Sequence, residues 1–223
     1  MTTESELKPN NPYSKILTYE AAIEIVNDIQ KINKKVVLTT GVYDLFHYKH
    51  AESLACISLL GDFTVVGIPG DLEISVAGLS GTQSKDSRGS IVDYEKRAKM
   101  VSHLDYVDLI FKKTTNKLDL VTRVQPNVLA QSITSGVKVI KEVLDLTNYF
   151  QTHVENGNMM LELPGGMCKI VFIDDVIGGV TNIIDYRFAV EKAADWENNR
   201  FSNDKFHGSL IKNEIIRRAT ENK

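Results

Sequence analysis

The chain has 223 residues, 43% of them hydrophobic, with 26 basic and 29 acidic side chains and a net charge of -3. That is enough apolar material for one medium domain with a buried core. The slightly acidic balance argues against general nucleic-acid binding, which requires a basic surface, and leaves local phosphate binding open.

Residues 1–15 are polar, include Pro9 and Pro12, and lack the apolar segment of a secretory leader, so they read as a flexible arm. No run is long and apolar enough to span a bilayer, and the expectation is a cytoplasmic protein without a membrane role. Thr18 can cap a helix over residues 19–32 whose Ala22, Ile25, Val26 and Ile29 form one apolar stripe. VVLTTG (36–41) reads as a short buried strand ending at a glycine, followed by a helix over about 50–60. FTVVGI (63–68) is a second strand, and residues 71–92, rich in Gly and Ser, read as a long loop. Then come a helix at 94–104, a strand at 106–111, a short helix at 119–124, a strand at 126–130, a helix at 137–150 and a strand at 168–173. A last helix is expected from about Thr181.

Buried strands alternating with helices imply an α/β fold, a parallel sheet with helices on both faces. The main domain spans residues 16–194, and residues 195–223 form a loop and a short helix. That helix carries Leu210, Ile211, Ile215 and Ile216 on one side, which reads as a solvated tail that could also serve a homodimer. Cys56 and Cys168 lie in apolar surroundings outside any CxxC pattern and read as buried thiols.

The stretch TTGVYDLFHYKH (39–50) places His47 and His50 three residues apart just after a strand and a glycine. In parallel sheets, ligands bind beyond the carboxyl ends of strands. Gly41 lets the backbone come close to a ligand, and the following helix offers free N–H groups and a dipole that favours an anion. Two imidazole donors there would suit a polyphosphate and would stabilise charge building on phosphorus. Zinc is disfavoured, because the spacing is not HExxH and no third ligand is apparent; a histidine pair without a role is the competing reading.

The stretch GVYDLFHYKHAESL resembles the GxFDxxHxGHxxxL signature of the cytidylyltransferase-like nucleotidyltransferases. GDFTVVGIPGDLEISV, SKDSRGSIVDYEKRAKMVSHLDYVD, PNVLA and GGVTNIID resemble, in order, later elements of the heptose-phosphate adenylyltransferase and glycerol-phosphate cytidylyltransferase branch, over roughly residues 16–187. The resemblance implies a Rossmann-like nucleotidyltransferase fold. It also implies transfer of a nucleoside monophosphate from ATP or CTP to a phosphorylated sugar or alcohol, with release of pyrophosphate and assistance from Mg²⁺. On that basis His47, His50 and Arg88 would be catalytic. Thr40, Gly41, Val42, Tyr43, Lys49, Asp71 and Thr181 would line the nucleotide, and Asp44 would act directly or fix the turn.

Three departures stand out. Lys49 occupies the glycine position of HxGH, Gln131 stands where the branch has a lysine, and Gly179 replaces a serine of the last motif. They support a second reading, a catalytically impaired relative that binds nucleotide or serves in an assembly.

Overall fold

Residues 11–74, 90–133, 137–174, 182–184 and 189 are described by the structure, a computed structural model. It divides into two compact units, residues 1–115 and 116–223.

In the first unit, the Asn11 side chain accepts from the Tyr13 N–H and opens a 3-10 turn, Pro12–Lys15. Lys15 Nζ donates to Leu104 O at 2.9 Å, and β1 (Ile16–Leu17) follows. The expected arm to residue 15 is therefore folded in its last part, because a side-chain cap and a long-range hydrogen bond hold it. Helix α1 (Tyr19–Lys31) starts at the Thr18 cap and buries Tyr19, Ala22 and Val26. Ile25 of the expected stripe is left exposed. Next come β2 (Val36–Thr40), α2 (Tyr48–Ser58), β3 (Phe63–Pro69), α3 (Tyr94–Ser102) and β4 (Leu109–Lys113). Strand β4 begins later than expected. Tyr106 and Val107 lie before it, with the Val107 N–H bonded to Leu104 O, and Asp108 Oδ2 accepts from Thr64 N at 2.7 Å.

These strands run β1-β4-β3-β2, all parallel. Val36, Val37, Leu38, Val65, Val66, Ile110 and Phe111 are fully enclosed, as unbroken apolar runs in a parallel sheet require. Leu54 of α2 and Tyr94, Ala98 and Val101 of α3 pack with Val66, Ile68 and Ile110 in one cluster that also takes in Tyr43. Because the strands are parallel, the carboxyl ends of β2, β3 and β4 emerge on one edge, with Thr40 level with Gly67 and Pro69 level with Lys113.

In the second unit, Asn116 caps α4 (Lys117–Val124), and β5 (Val128–Ser132), α5 (Val137–Leu146), β6 (Thr152–Glu155), β7 (Asn158–Leu163), β8 (Gly166–Asp174) and β9 (Asn182–Ile184) follow. Among the described residues of this unit β5–β8 is a parallel pair, and β6–β7, β7–β8 and β8–β9 are antiparallel. The expected α/β fold of parallel strands and helices is thus present, and its sheet is mixed, with an antiparallel addition at β6, β7 and β9. The local cause of the β6–β7 hairpin is a two-residue turn at Asn156 (φ 50) and Gly157 (φ 79), the left-handed geometry that folds one strand directly back on the next. The helix expected from about Thr181 is corrected: residues 182–184 are a strand in register with β8, Phe172 opposite Ile184. Thr181 itself lies outside the described residues. Cys168 is buried as expected, and burial pushes its thiol up to about 12.

Candidate active site

The chain leaves β2 through a strained turn. The Gly41 N–H donates to Gly67 O at 3.2 Å, which holds the start of the turn against β3. A Cβ on Gly41 would stand 2.7 Å from the Tyr43 ring, so the glycine is required by that close approach. Tyr43 (φ 54) and Leu45 (φ 44) both take left-handed conformations, a cost of about 1–3 kcal/mol each that surrounding bonds must hold. Asp44 between them supplies those bonds. Its carboxylate accepts from the backbone N–H of Ile91 (2.7 Å), Val92 (2.9 Å) and Leu45 (3.1 Å). Burial pushes this carboxyl up, but the three amides and the Arg97 charge outweigh it and hold it below the usual range. The Asp44 carboxylate thus joins the turn to the backbone just before α3.

The two histidines meet at the start of α2. His47 is the N-cap, with extended backbone, and the helix begins at Tyr48, two residues earlier than expected. His50, in the first turn, accepts at Nδ1 from the His47 N–H at 3.4 Å. The two rings stack with centroids 4.0 Å apart and planes 18° apart. Tyr43 meets the His50 ring edge-on at 5.5 Å, and Phe46 packs on it at 5.4 Å. Burial first, then the neighbouring His47, lower the His50 pKa to about 4, against a smaller upward pull from Asp44. His50 is therefore neutral at pH 7. With Nδ1 accepting, its proton sits on Nε2, which leaves a fixed N–H donor. His47 Nδ1 is buried and without a hydrogen-bond partner, an atom that a ligand could satisfy.

Arg97 organises the rest, and sequence reasoning gave it no role. It is among the largest fully buried side chains. Its Nε donates to Val92 O (2.9 Å), Nη1 to Val42 O (2.8 Å), and Nη2 to Pro69 O (3.0 Å) and Asp71 Oδ1 (2.7 Å). One guanidinium thus ties the turn after β2, the end of β3 and the approach to α3. Asp71 also accepts from Ser90 Oγ and the Tyr94 N–H. Burial raises the Asp71 carboxyl, but the Tyr94 amide, Arg97 and Ser90 outweigh it and hold it low. The one available signal for Arg97 was its place in the RAKMVSHLDYVD stretch, which says nothing of its partners.

Lys49 is buried, with Nζ 2.8 Å from Glu52 Oε2 and 5.5 Å from the Tyr48 ring centroid. Thr40 and Gly41 are partly exposed, and Val42 is exposed. Arg88, Thr181 and Gly179 lie outside the described residues. Within the second unit, Gln131 is buried and accepts from Lys117 Nζ, which also pairs with Glu142 at 2.8 Å. An ammonium thus stands on Gln131 although the strand itself carries none. Among the described residues, no group of three or more His, Cys, Asp or Glu side chains could hold a metal, and no helix is long and apolar enough to cross a membrane.

Residues 38–160, which hold the strained turn, the histidine pair and Arg97, match the family model described as Cytidylyltransferase-like. The chain belongs to the cytidylyltransferase-like family. Its similar relatives include "Bifunctional protein HldE" of Campylobacter concisus, 33% identical over 137 residues, which is 58% of this chain and 27% of that protein. The HldE protein of Pelobacter propionicus is 27% identical over 175 residues, 77% of this cytidylyltransferase-like chain and 31% of the relative. The chain therefore spans about a third or less of the relatives it matches. Among solved structures, a lipopolysaccharide core biosynthesis protein from Thermoplasma volcanium is similar at 23% identity and a TM-score of 0.42, over 52% of this chain and 88% of that one.

Proposed function

We propose that the chain is a nucleotidyltransferase that moves a nucleoside monophosphate from ATP or CTP to a phosphorylated sugar or alcohol and releases pyrophosphate. The observation that carries this reading is the state of His50: neutral, with its tautomer set by the His47 amide and its ring held by His47, Tyr43 and Phe46. A donor fixed before the ligand arrives needs no reorganisation when charge develops, which is how such groups lower barriers. With the N-terminus of α2 beside it, the pair suits the oxygens of a triphosphate. The acceptor phosphate would attack the α-phosphorus, and the bond to the departing pyrophosphate would break in line. Orientation and charge stabilisation suffice for this, without a serine or cysteine nucleophile.

Family membership and the HldE relatives support the same reaction class. Mg²⁺ would fit as a companion of the nucleotide's own oxygens, since it is commonly held by phosphates with one or two carboxylates, and it would offset phosphate charge. Asp44 and Asp71 are already engaged by backbone amides and Arg97, so neither is offered as its ligand.

The test is pyrophosphate release with Mg²⁺, each of the four nucleoside triphosphates and a panel of sugar and alcohol phosphates. His50→Ala should lower turnover about 10²–10³-fold with the circular dichroism spectrum unchanged. Full activity in that variant would overturn the assignment. Tight nucleotide binding without release in the parent chain would favour the binding-protein reading.

A further inference from the structure

In the turn after β2, Gly41 and Tyr43 are tied to each other. A Cβ on Gly41 would lie 2.7 Å from Tyr43 Cζ, 2.9 Å from Cε2 and 3.1 Å from the hydroxyl oxygen, and these are the three atoms nearest to it. Gly41 lies outside the left-handed region, so its backbone would accept an alanine. The Tyr43 ring is what keeps a side chain out. Tyr43 holds that place with a left-handed backbone (φ 54), a conformation that persists in a non-glycine residue only where its surroundings hold it. It is 8% exposed and belongs to the apolar cluster of Leu54, Val66 and Tyr94, which leaves it little surface for a ligand. The same ring meets His50, with centroids 5.5 Å apart and planes at 73°, the edge-to-face arrangement that aromatic pairs favour. Of the three rings that contact His50, those of Phe46 and His47 belong to partly exposed residues, and Tyr43 is the buried one.

We propose that Tyr43 is a positioning residue and not a nucleotide contact: its ring, admitted by the missing side chain of Gly41, fixes the His50 imidazole for nucleotidyl transfer. This rests on the transfer reaction proposed above and adds what aims its donor. A donor serves a developing charge only if it points at it beforehand, and a misplacement of about 1 Å can cost about 10²-fold in rate. A support rooted in the buried cluster can hold a ring to that tolerance, because its own side chain is locked by packing. A group that only aims another acts on turnover, whereas a group that touches the nucleotide also acts on its binding. Of the titratable groups near His50, His47 lowers its pKa and Asp44 raises it. Lys49 and Glu52 on its own helix pair with each other at 2.8 Å, and the Tyr106 hydroxyl donates to Ala51 O.

The experiment compares the full chain with Tyr43→Leu, Tyr43→Phe, Gly41→Ala and the double variant Gly41→Ala/Tyr43→Leu. Leucine removes the ring atoms that face Gly41 and keeps a backbone that this turn already tolerates, since Leu45 is left-handed there too (φ 44). Each variant is read twice, by NMR titration of the His50 imidazole and by steady-state pyrophosphate release. In Tyr43→Leu the titration should move from about 4 towards the ordinary 6.5 as water reaches the ring. Turnover should fall about tenfold or more, with nucleotide KM within about threefold of the parent. Tyr43→Phe keeps the ring and should restore both readouts. Gly41→Ala displaces the ring and should reproduce Tyr43→Leu, while in the double variant the alanine should add nothing, because the atoms it meets are gone. Should Tyr43→Leu not fold, Gly41→Ala keeps every core side chain and carries the same readouts. An unchanged His50 titration in Tyr43→Leu overturns the proposal, whether or not an acceptor is turned over. A rise in nucleotide KM with turnover retained also overturns it and makes Tyr43 a nucleotide contact. An alanine that costs as much in the Tyr43→Leu background as alone refutes the link to Gly41. A parent chain that releases no pyrophosphate sinks the transfer reading and the purpose assigned here, while the titrations still decide whether Tyr43 holds His50.

Discussion

Arg97→Ala is the sharpest single perturbation of the first unit. The guanidinium makes four hydrogen bonds, to the carbonyls of Val92, Val42 and Pro69 and to Asp71. Its side chain is fully buried, whereas Asp71 is half exposed at 49%. Truncation therefore leaves three carbonyls without their donor, while Asp71 can turn to water. Net values of about 1.5–3 kcal/mol for each charged hydrogen bond do not add, and breaking a buried pair costs about 3–5 kcal/mol. A loss of about 3–5 kcal/mol is expected for Arg97→Ala. Arg97→Lys keeps the charge but loses the planar fork, so about 2–3 kcal/mol is expected, with weakened nucleotide binding because the Val42 carbonyl is released. Asp71→Asn spares all three carbonyls but leaves the buried Arg97 charge without its carboxylate, so about 1–3 kcal/mol is expected. Urea unfolding at constant m-value reads these differences. A loss below about 1 kcal/mol in Arg97→Ala would refute the claim that one side chain ties the turn to β3 and α3.

Other expectations follow from the same geometry. His50 has a folded pKa of about 4 against an ordinary 6.5, so as pH falls the unfolded chain takes the proton first and stability is lost between about 6.5 and 4. The full shift corresponds to about 3 kcal/mol; with the ring only partly enclosed, about 1–2 kcal/mol is expected in urea unfolding across that window, and a ring titration near 6.5 by proton NMR would contradict it. Asp44→Ala strips three amides of their acceptor and should cost about 2–3 kcal/mol while raising nucleotide KM, read by thermal unfolding and kinetics. Lys49→Met removes an ammonium that Glu52 already neutralises, so nucleotide affinity by calorimetry should change by less than about threefold; a loss above tenfold would show that Lys49 reaches the phosphates.

Most of the first unit was visible from its apolar runs. VVLT and TVVGI, short, rich in β-branched residues and bounded by glycine, read as buried strands, and Thr18 announced the start of α1 through its side chain. What escaped notice depended on partners far along the chain. β1 is two residues long and exists only because Ile16 and Leu17 pair with Ile110 and Phe111. Arg97 reads as one more charge on a polar helix until the fold brings Val42, Pro69 and Asp71 around it. The β6–β7 hairpin, by contrast, carries a local signal in its Asn156-Gly157 turn. Residues 182–184 misled for a different reason: a short apolar run can be strand or helix, and pairing with β8 decided it. At the site, spacing located the histidine pair, but it could not show that His47 caps the helix, that the rings stack, or that His50 is held neutral.

The most direct test is phosphorus NMR of the chain with Mg²⁺, ATP or CTP, and a sugar phosphate, following the α-phosphorus. Expected are new diphosphate-ester resonances and free pyrophosphate in equal amounts, abolished in His47→Ala/His50→Ala. Unchanged nucleotide resonances with every acceptor, in a chain that still binds the nucleotide, would contradict the transfer reaction.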